Sequence, residues 1–90
     1  MRLARRYLVT GRVQGVGFRM FVVDRAALEG LHGWTANRAD GGVDILAEGE
    51  AEALERFERA LWQGPRLARV DDVEMTDEGA TGRDTGFHIR

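Results

Sequence analysis

The chain has 90 residues, 43% of them hydrophobic and 31% charged, with a formal net charge of −2 and no cysteine. That length fits one small domain spanning 1–90, and the charge balance excludes the basic footprint of a nucleic-acid-binding domain. The missing cysteine excludes a disulfide framework, thiolate nucleophiles and Cys-rich zinc or iron–sulfur sites.

All thirteen basic residues are arginine, which also removes a Schiff-base lysine and a Walker-type phosphate lysine. No apolar run approaches the roughly 20 residues needed to cross a bilayer. The basic N-terminus is interrupted by Gly11 and Arg12 too early for a signal peptide. The expectation is a cytoplasmic protein that neither binds nucleic acid nor enters a membrane.

In chain order, residues 5–13 read as a strand, with Tyr7, Val9 and Val13 on one face at a period of two. A glycine-rich turn, Gln14-Gly15-Val16-Gly17, follows. From Phe18 to Glu29 the pattern is helical, with Met20, Val23, Ala27 and Leu31 as its apolar stripe and Gly30 as its stop. Residues 32–38 and 43–48 read as a hairpin about Ala39-Asp40-Gly41-Gly42.

The second helix has the clearest pattern. Ala53, Leu54, Phe57, Ala60 and Leu61 form one apolar face, while Glu52–Arg56 and Glu55–Arg59 are spaced for i, i+4 ion pairs. Gly64-Pro65 ends it. A fourth strand is expected around Val70–Met75, and its neighbours Asp71, Asp72, Glu74, Asp77 and Glu78 read as an acidic edge that discourages strand-to-strand aggregation. A polar loop then leads to a short strand carrying Phe87 and Ile89.

Strand–helix–strand–strand–helix–strand with a terminal strand implies an α+β, ferredoxin-like split βαβ sandwich, an antiparallel sheet with two helices on one face. That architecture hosts many functions and decides none.

The chemistry is concentrated in Gly11-Arg12-Val13-Gln14-Gly15-Val16-Gly17-Phe18-Arg19, where a strand gives way to a helix. The first amides of a helix lack intrahelical acceptors and carry partial positive charge. A glycine-rich turn feeding that end can aim several N–H groups into one concavity, and Arg19 adds a planar, permanent cation suited to phosphate oxygens. On spacing alone, a plain tight turn with a solvated arginine is the stronger reading. A Walker loop is excluded because the Lys-Ser/Thr ending is missing, and GxGxxG because Met20 stands at the third glycine. His32 and His88 have no metal-ligand spacing and read as partner-less or surface residues; Trp34 and Trp62 read as core or partly buried packing.

GRVQGVGFR resembles the signature of the acylphosphatase family over all nine residues. Gly33-Trp34-Thr35-Ala36-Asn37, followed by Asp40, Gly41 and Val43, is similar to that family's second motif, and Gly86-Phe87-His88-Ile89 to its last strand. Thr35 departs from the valine usual in the family. A buried hydroxyl there needs a partner.

The resemblance implies metal-independent hydrolysis of small acyl phosphates to a carboxylate and inorganic phosphate, with no cofactor and no metal. It implies that Arg19 and the backbone of Gln14, Gly15, Val16, Gly17, Phe18 and Arg19 bind the phosphoryl group, while Asn37 holds the attacking water. Nothing similar to the zinc-finger or carbamoyl-transfer regions of larger proteins with such a domain follows, so a stand-alone monomeric enzyme is expected. The competing reading is a non-catalytic ferredoxin-like module that binds phosphate as a regulator.

Overall fold

A computed structural model describes residues 1–90. β1 (Arg2–Arg12) runs through the sheet interior because β3 (Val43–Glu50) and β4 (Arg69–Glu78) both pair with it antiparallel. β2 (His32–Asn37) pairs antiparallel with β3 in the expected hairpin. β5 (Phe87–Ile89) lies parallel to β2 at the far edge, giving the order β4-β1-β3-β2-β5. The first four strands form the antiparallel sheet of the split βαβ arrangement, and β5 makes the sheet mixed.

The helices α1 (Phe18–Leu28) and α2 (Ala51–Gln63) cover one face. The core between layers includes Tyr7, Val9, Phe18, Ile45, Leu54 and Phe57, with the Tyr7 and Phe57 rings edge-on at 5.9 Å. Burial of each large side chain contributes about 1.5–3 kcal/mol. Burial also pushes the Tyr7 hydroxyl pKa up to about 12, so it stays neutral.

All five apolar residues expected on the inner face of α2 are buried. α1 differs. It buries Phe18, Val22 and Ala26, not the stripe of Met20, Val23 and Ala27, although Leu31 beyond its end is buried as expected. The helix is apolar around most of its circumference, so its period selects no face; Phe18, only 1% exposed, selects it. The expected ion pairs within α2 are replaced by one between helices, Arg56 Nε to Glu29 Oε1 at 2.8 Å. Trp62 is exposed rather than core, and Trp34 lies on the open face of the sheet with the Arg6 and Arg90 guanidiniums 5.3 and 4.3 Å from its ring. The acidic strand β4 occupies a sheet edge, where its charges oppose edge pairing.

The segment between β4 and β5 connects opposite edges of the sheet, and Glu48 on β3 fixes it. This carboxylate is completely buried and accepts hydrogen bonds from the amides of Thr81, Gly82 and Arg83, at 3.1–3.2, 2.8 and 3.1 Å, and from Arg2 Nε at 2.9 Å. Both histidines act on the same connection. His32 Nδ1 accepts from the Gly86 amide at 3.0 Å, and His88 Nε2 meets the Thr85 carbonyl, so neither is partner-less.

Two stability predictions follow from these buried polar groups. Burial pushes the Glu48 carboxyl up, but Arg2 and the three amides outweigh it and hold the pKa down at about 2, against 4.5 for a free carboxyl. Its stabilisation is therefore complete above pH 4.5 and lost as pH falls through about 2. Urea unfolding of Glu48→Gln should show a loss of about 2–3 kcal/mol at pH 7, with the gap from wild type closing between those two pH values.

Thr35 is completely buried and its hydroxyl has no hydrogen-bond partner. Thr35→Val should therefore raise stability by about 1 kcal/mol, or about 5 °C in Tm, read by calorimetry. An unchanged or lower Tm would show that the hydroxyl is satisfied.

Candidate active site

The β1–α1 connection keeps its backbone donors free. The amides of residues 14–20 donate to no backbone or side-chain acceptor within the chain. Two glycines in left-handed conformations make this possible: Gly15 at φ 72° and Gly17, the residue before α1, at φ 77°. A Cβ at either would meet open space, so the requirement is conformational, costing another residue about 1–2 kcal/mol. α1 also begins without a side-chain cap or an acidic residue in its first turn. The positive end of its dipole is left without an internal counter-charge.

Two anchors hold the loop open. Phe18 is sunk in the core beneath it, which sends Arg19 to a partly exposed position roughly 100° further round the helix. Gln14 holds the other side, its side-chain Nε2 donating to the carbonyls of Arg38 and Gly42 at 2.8 Å each. Those carbonyls belong to the hairpin turn, which is itself knit by Arg38 N to Gly42 O at 2.8 Å and Gly42 N to Asp40 Oδ1 at 3.0 Å. Arg38 also pairs with Asp40 and holds its carboxyl below the usual range. Gln14 thereby fixes the loop against the end of β2, where Asn37 is the last strand residue.

The result is one cleft of about 160 Å³ lined by Val13, Gln14, Gly15, Gly17, Phe18 and Arg19 from the loop side. Asn37 faces it from β2, and Met20 and Ile89 complete it. Ligand pockets for drug-sized molecules occupy roughly 300–1,000 Å³, so this one suits a small anionic group and a water. Arg19 is in none of the chain's ion pairs, and neither Arg19 nor Asn37 spends its side chain on an internal hydrogen bond. Free donors, an unpaired guanidinium and a neutral amide converge here. That set suits a phosphoryl group.

Comparison with known proteins gives the same direction. The acylphosphatase family model matches residues 5–89. An acylphosphatase of Koribacter versatilis is 58% identical over 85 residues, which are 94% of this chain and 77% of the relative. One from Thermus thermophilus is 51% identical over 82 residues, 91% and 92% of the two chains. The chain belongs to the acylphosphatase family. The crystal structure of acylphosphatase from Bacillus subtilis superposes with a TM-score of 0.94 at 42% identity, over 100% of this chain and 99% of that one. Full-length HypF in its phosphate- and nucleotide-bound form matches at a TM-score of 0.88 and 30% identity, this chain spanning 12% of its length.

Members of the acylphosphatase family hydrolyse small acyl phosphates and release phosphate. Of the residues singled out from sequence, Gln14, Gly15, Gly17, Phe18, Arg19 and Asn37 all line the cleft. Val16 does not; it packs against the core from within the loop. Three further lining residues, Val13, Met20 and Ile89, were not read as site residues. Met20 sits beside Arg19, and its helical period assigns it to the buried stripe, although it is exposed. Ile89 arrives through the pairing of β5 with β2 and has no local signal linking it to the loop.

The Gln14 bridge has a measurable consequence. Gln14→Ala leaves the Arg38 and Gly42 carbonyls without that donor and should cost about 1–2 kcal/mol, lowering Tm by roughly 5–10 °C. Differential scanning calorimetry checks it. An unchanged Tm would mean that the loop is held by Phe18 alone.

Proposed function

We propose that this chain hydrolyses acyl phosphates in the cleft between the β1–α1 loop and the end of β2, acting as a single-domain, cytoplasmic monomer over residues 1–90. The observation that carries the proposal is the run of free amides at 14–20 beside an unpaired Arg19. The amides of Gln14, Gly15, Val16, Gly17, Phe18 and Arg19, together with the Arg19 guanidinium, bind the phosphoryl oxygens. Asn37 holds the attacking water.

The reaction makes modest demands on such a site. The water oxygen forms a new bond to phosphorus as the bond from phosphorus to the carboxylate oxygen breaks. The carboxylate departs with that electron pair, and a water proton passes to a phosphate oxygen. Because a carboxylate leaves readily, no strong general acid is needed. Holding the water in line and stabilising equatorial charge dominate phosphoryl transfer. The amide of Asn37 can both accept from and donate to a water, without the repulsion that a carboxylate would exert on an anionic substrate. No step requires a metal or an organic cofactor.

The test separates the two roles. In EDTA, wild type should release phosphate from benzoyl phosphate, and Arg19→Ala and Asn37→Ala should each lose roughly 10³-fold in kcat/KM. Calorimetry with inorganic phosphate should show binding lost in Arg19→Ala and nearly intact in Asn37→Ala. Equal loss of binding in both variants would sink the division of roles. A folded wild type that binds phosphate and hydrolyses nothing would favour the regulatory anion-binding module.

A further inference from the structure

Part of the exposed lining of the cleft is apolar. Met20 and Ile89, two of the cleft-lining side chains, are 56% and 42% exposed. Neither belongs to the core or packs against its border. They come from separate elements. Met20 follows Arg19 in the first turn of α1, while Ile89 ends β5 in register with Thr35, two residues before Asn37. Single exposed apolar residues are common and need no explanation. Two that line one cavity from distant parts of the chain form a shared surface.

Volume decides what that surface faces. A cleft of about 160 Å³ is well below the roughly 300–1,000 Å³ of pockets that enclose a drug-sized ligand, so it takes the phosphoryl end of a bulky substrate and not the whole molecule. The acyl body, joined to phosphorus through the bridging oxygen, then lies at the mouth. We infer that Met20 and Ile89 form an apolar lip that receives the acyl group, and that the site discriminates in favour of aryl and bulky apolar acyl phosphates over short ones. The inference rests on the phosphate reading of the cradle proposed above.

An aryl ring over the lip removes exposed apolar surface from water, which a methyl group does to a much smaller extent. The Met20 thioether can make a favourable sulfur–aromatic contact and adapts to varied shapes. Selectivity of this kind is graded. The lip has no hydrogen-bond donor or acceptor with which to demand one acyl group, and apolar contacts alone separate substrates by modest factors.

The experiment compares kcat/KM for benzoyl phosphate and acetyl phosphate in wild type, Met20→Ser with Ile89→Ser, and Met20→Leu. Inhibition by inorganic phosphate reports on the cradle separately. The double variant should lower the benzoyl-to-acetyl ratio roughly tenfold, equivalent to about 1.4 kcal/mol, with the phosphate inhibition constant close to wild type. Met20→Leu should retain the preference. An unchanged ratio in the double variant overturns the lip and leaves the cradle standing, as does an equal fall on both substrates. Failure of wild type to hydrolyse either substrate removes the proposed function and the lip with it.

Discussion

Keeping the amides of residues 14–20 free of any internal acceptor is the constraint around which this fold is organised. Unpaired backbone donors are costly where water cannot reach them and are ordinarily absorbed into helices, strands or caps. Here the loop is prevented from collapsing onto its own carbonyls by fixing both of its sides. Phe18 is part of the core, so the start of α1 cannot shift without opening a cavity beneath it. Gln14 spends its side-chain amide on two hairpin carbonyls. The two left-handed glycines then set the backbone path between these fixed points. A ligand entering this loop would meet donors already oriented and would lose little conformational entropy on binding.

The open face of the sheet contributes to the same site at a distance. A buried carboxylate is a liability unless its lone pairs are filled, and Glu48 fills them with the backbone of the β4–β5 connection and with Arg2. That choice commits the connection to one path across the sheet and delivers β5 to the free edge of β2. The Gly86 carbonyl then accepts from the Gly33 amide, and the Arg90 amide donates to the Thr35 carbonyl, at 2.9 and 2.8 Å. These bonds place Ile89 at the cleft. A charge on the face remote from the helices thus helps shape the mouth of a site on the other face.

What the sequence disclosed, and what it withheld, divides along the range of the interactions. α2 was legible to the residue because its apolar positions fall on one stripe and its charges on the other. The β1–α1 loop stood out through its resemblance to a family signature, which is contiguous across Gln14 to Arg19, whereas its spacing alone favoured a plain tight turn. The Asp-Gly turn put Asn37 near the end of a strand. α1 was misread because its apolar residues surround it and only the burial of Phe18 chooses the face. The pairing of Arg56 with Glu29 was missed because two helices must meet before it exists. Glu48 looked like any polar residue on an alternating strand, since nothing local says that a segment more than thirty positions later will cover it. Gln14 lay within a recognised motif, yet its side-chain role depends on the hairpin and emerges only when both loops are in place.

Charge placement explains how a chain of net charge −2 can present a site to a substrate that is itself an anion. The carboxylates nearest in sequence to Asn37 are Asp40 and Asp44, and neither is free. Arg38 pairs with both, at 3.1 and 3.2 Å, and Arg6 adds a second contact to Asp44 at 3.3 Å. The paired charges largely cancel beyond their immediate surroundings, whereas the uncompensated start of α1 and Arg19 do not. β4, at the sheet edge opposite β5, carries five further carboxylates, of which Asp71 is paired with Arg69 and Asp77 with Arg5. Net charge therefore describes the surface as a whole, and the local pairing of Arg38 sets the field at the hairpin. A neutral Asn37 fits that arrangement, since it adds hydrogen-bonding capacity at the cleft without adding an anion.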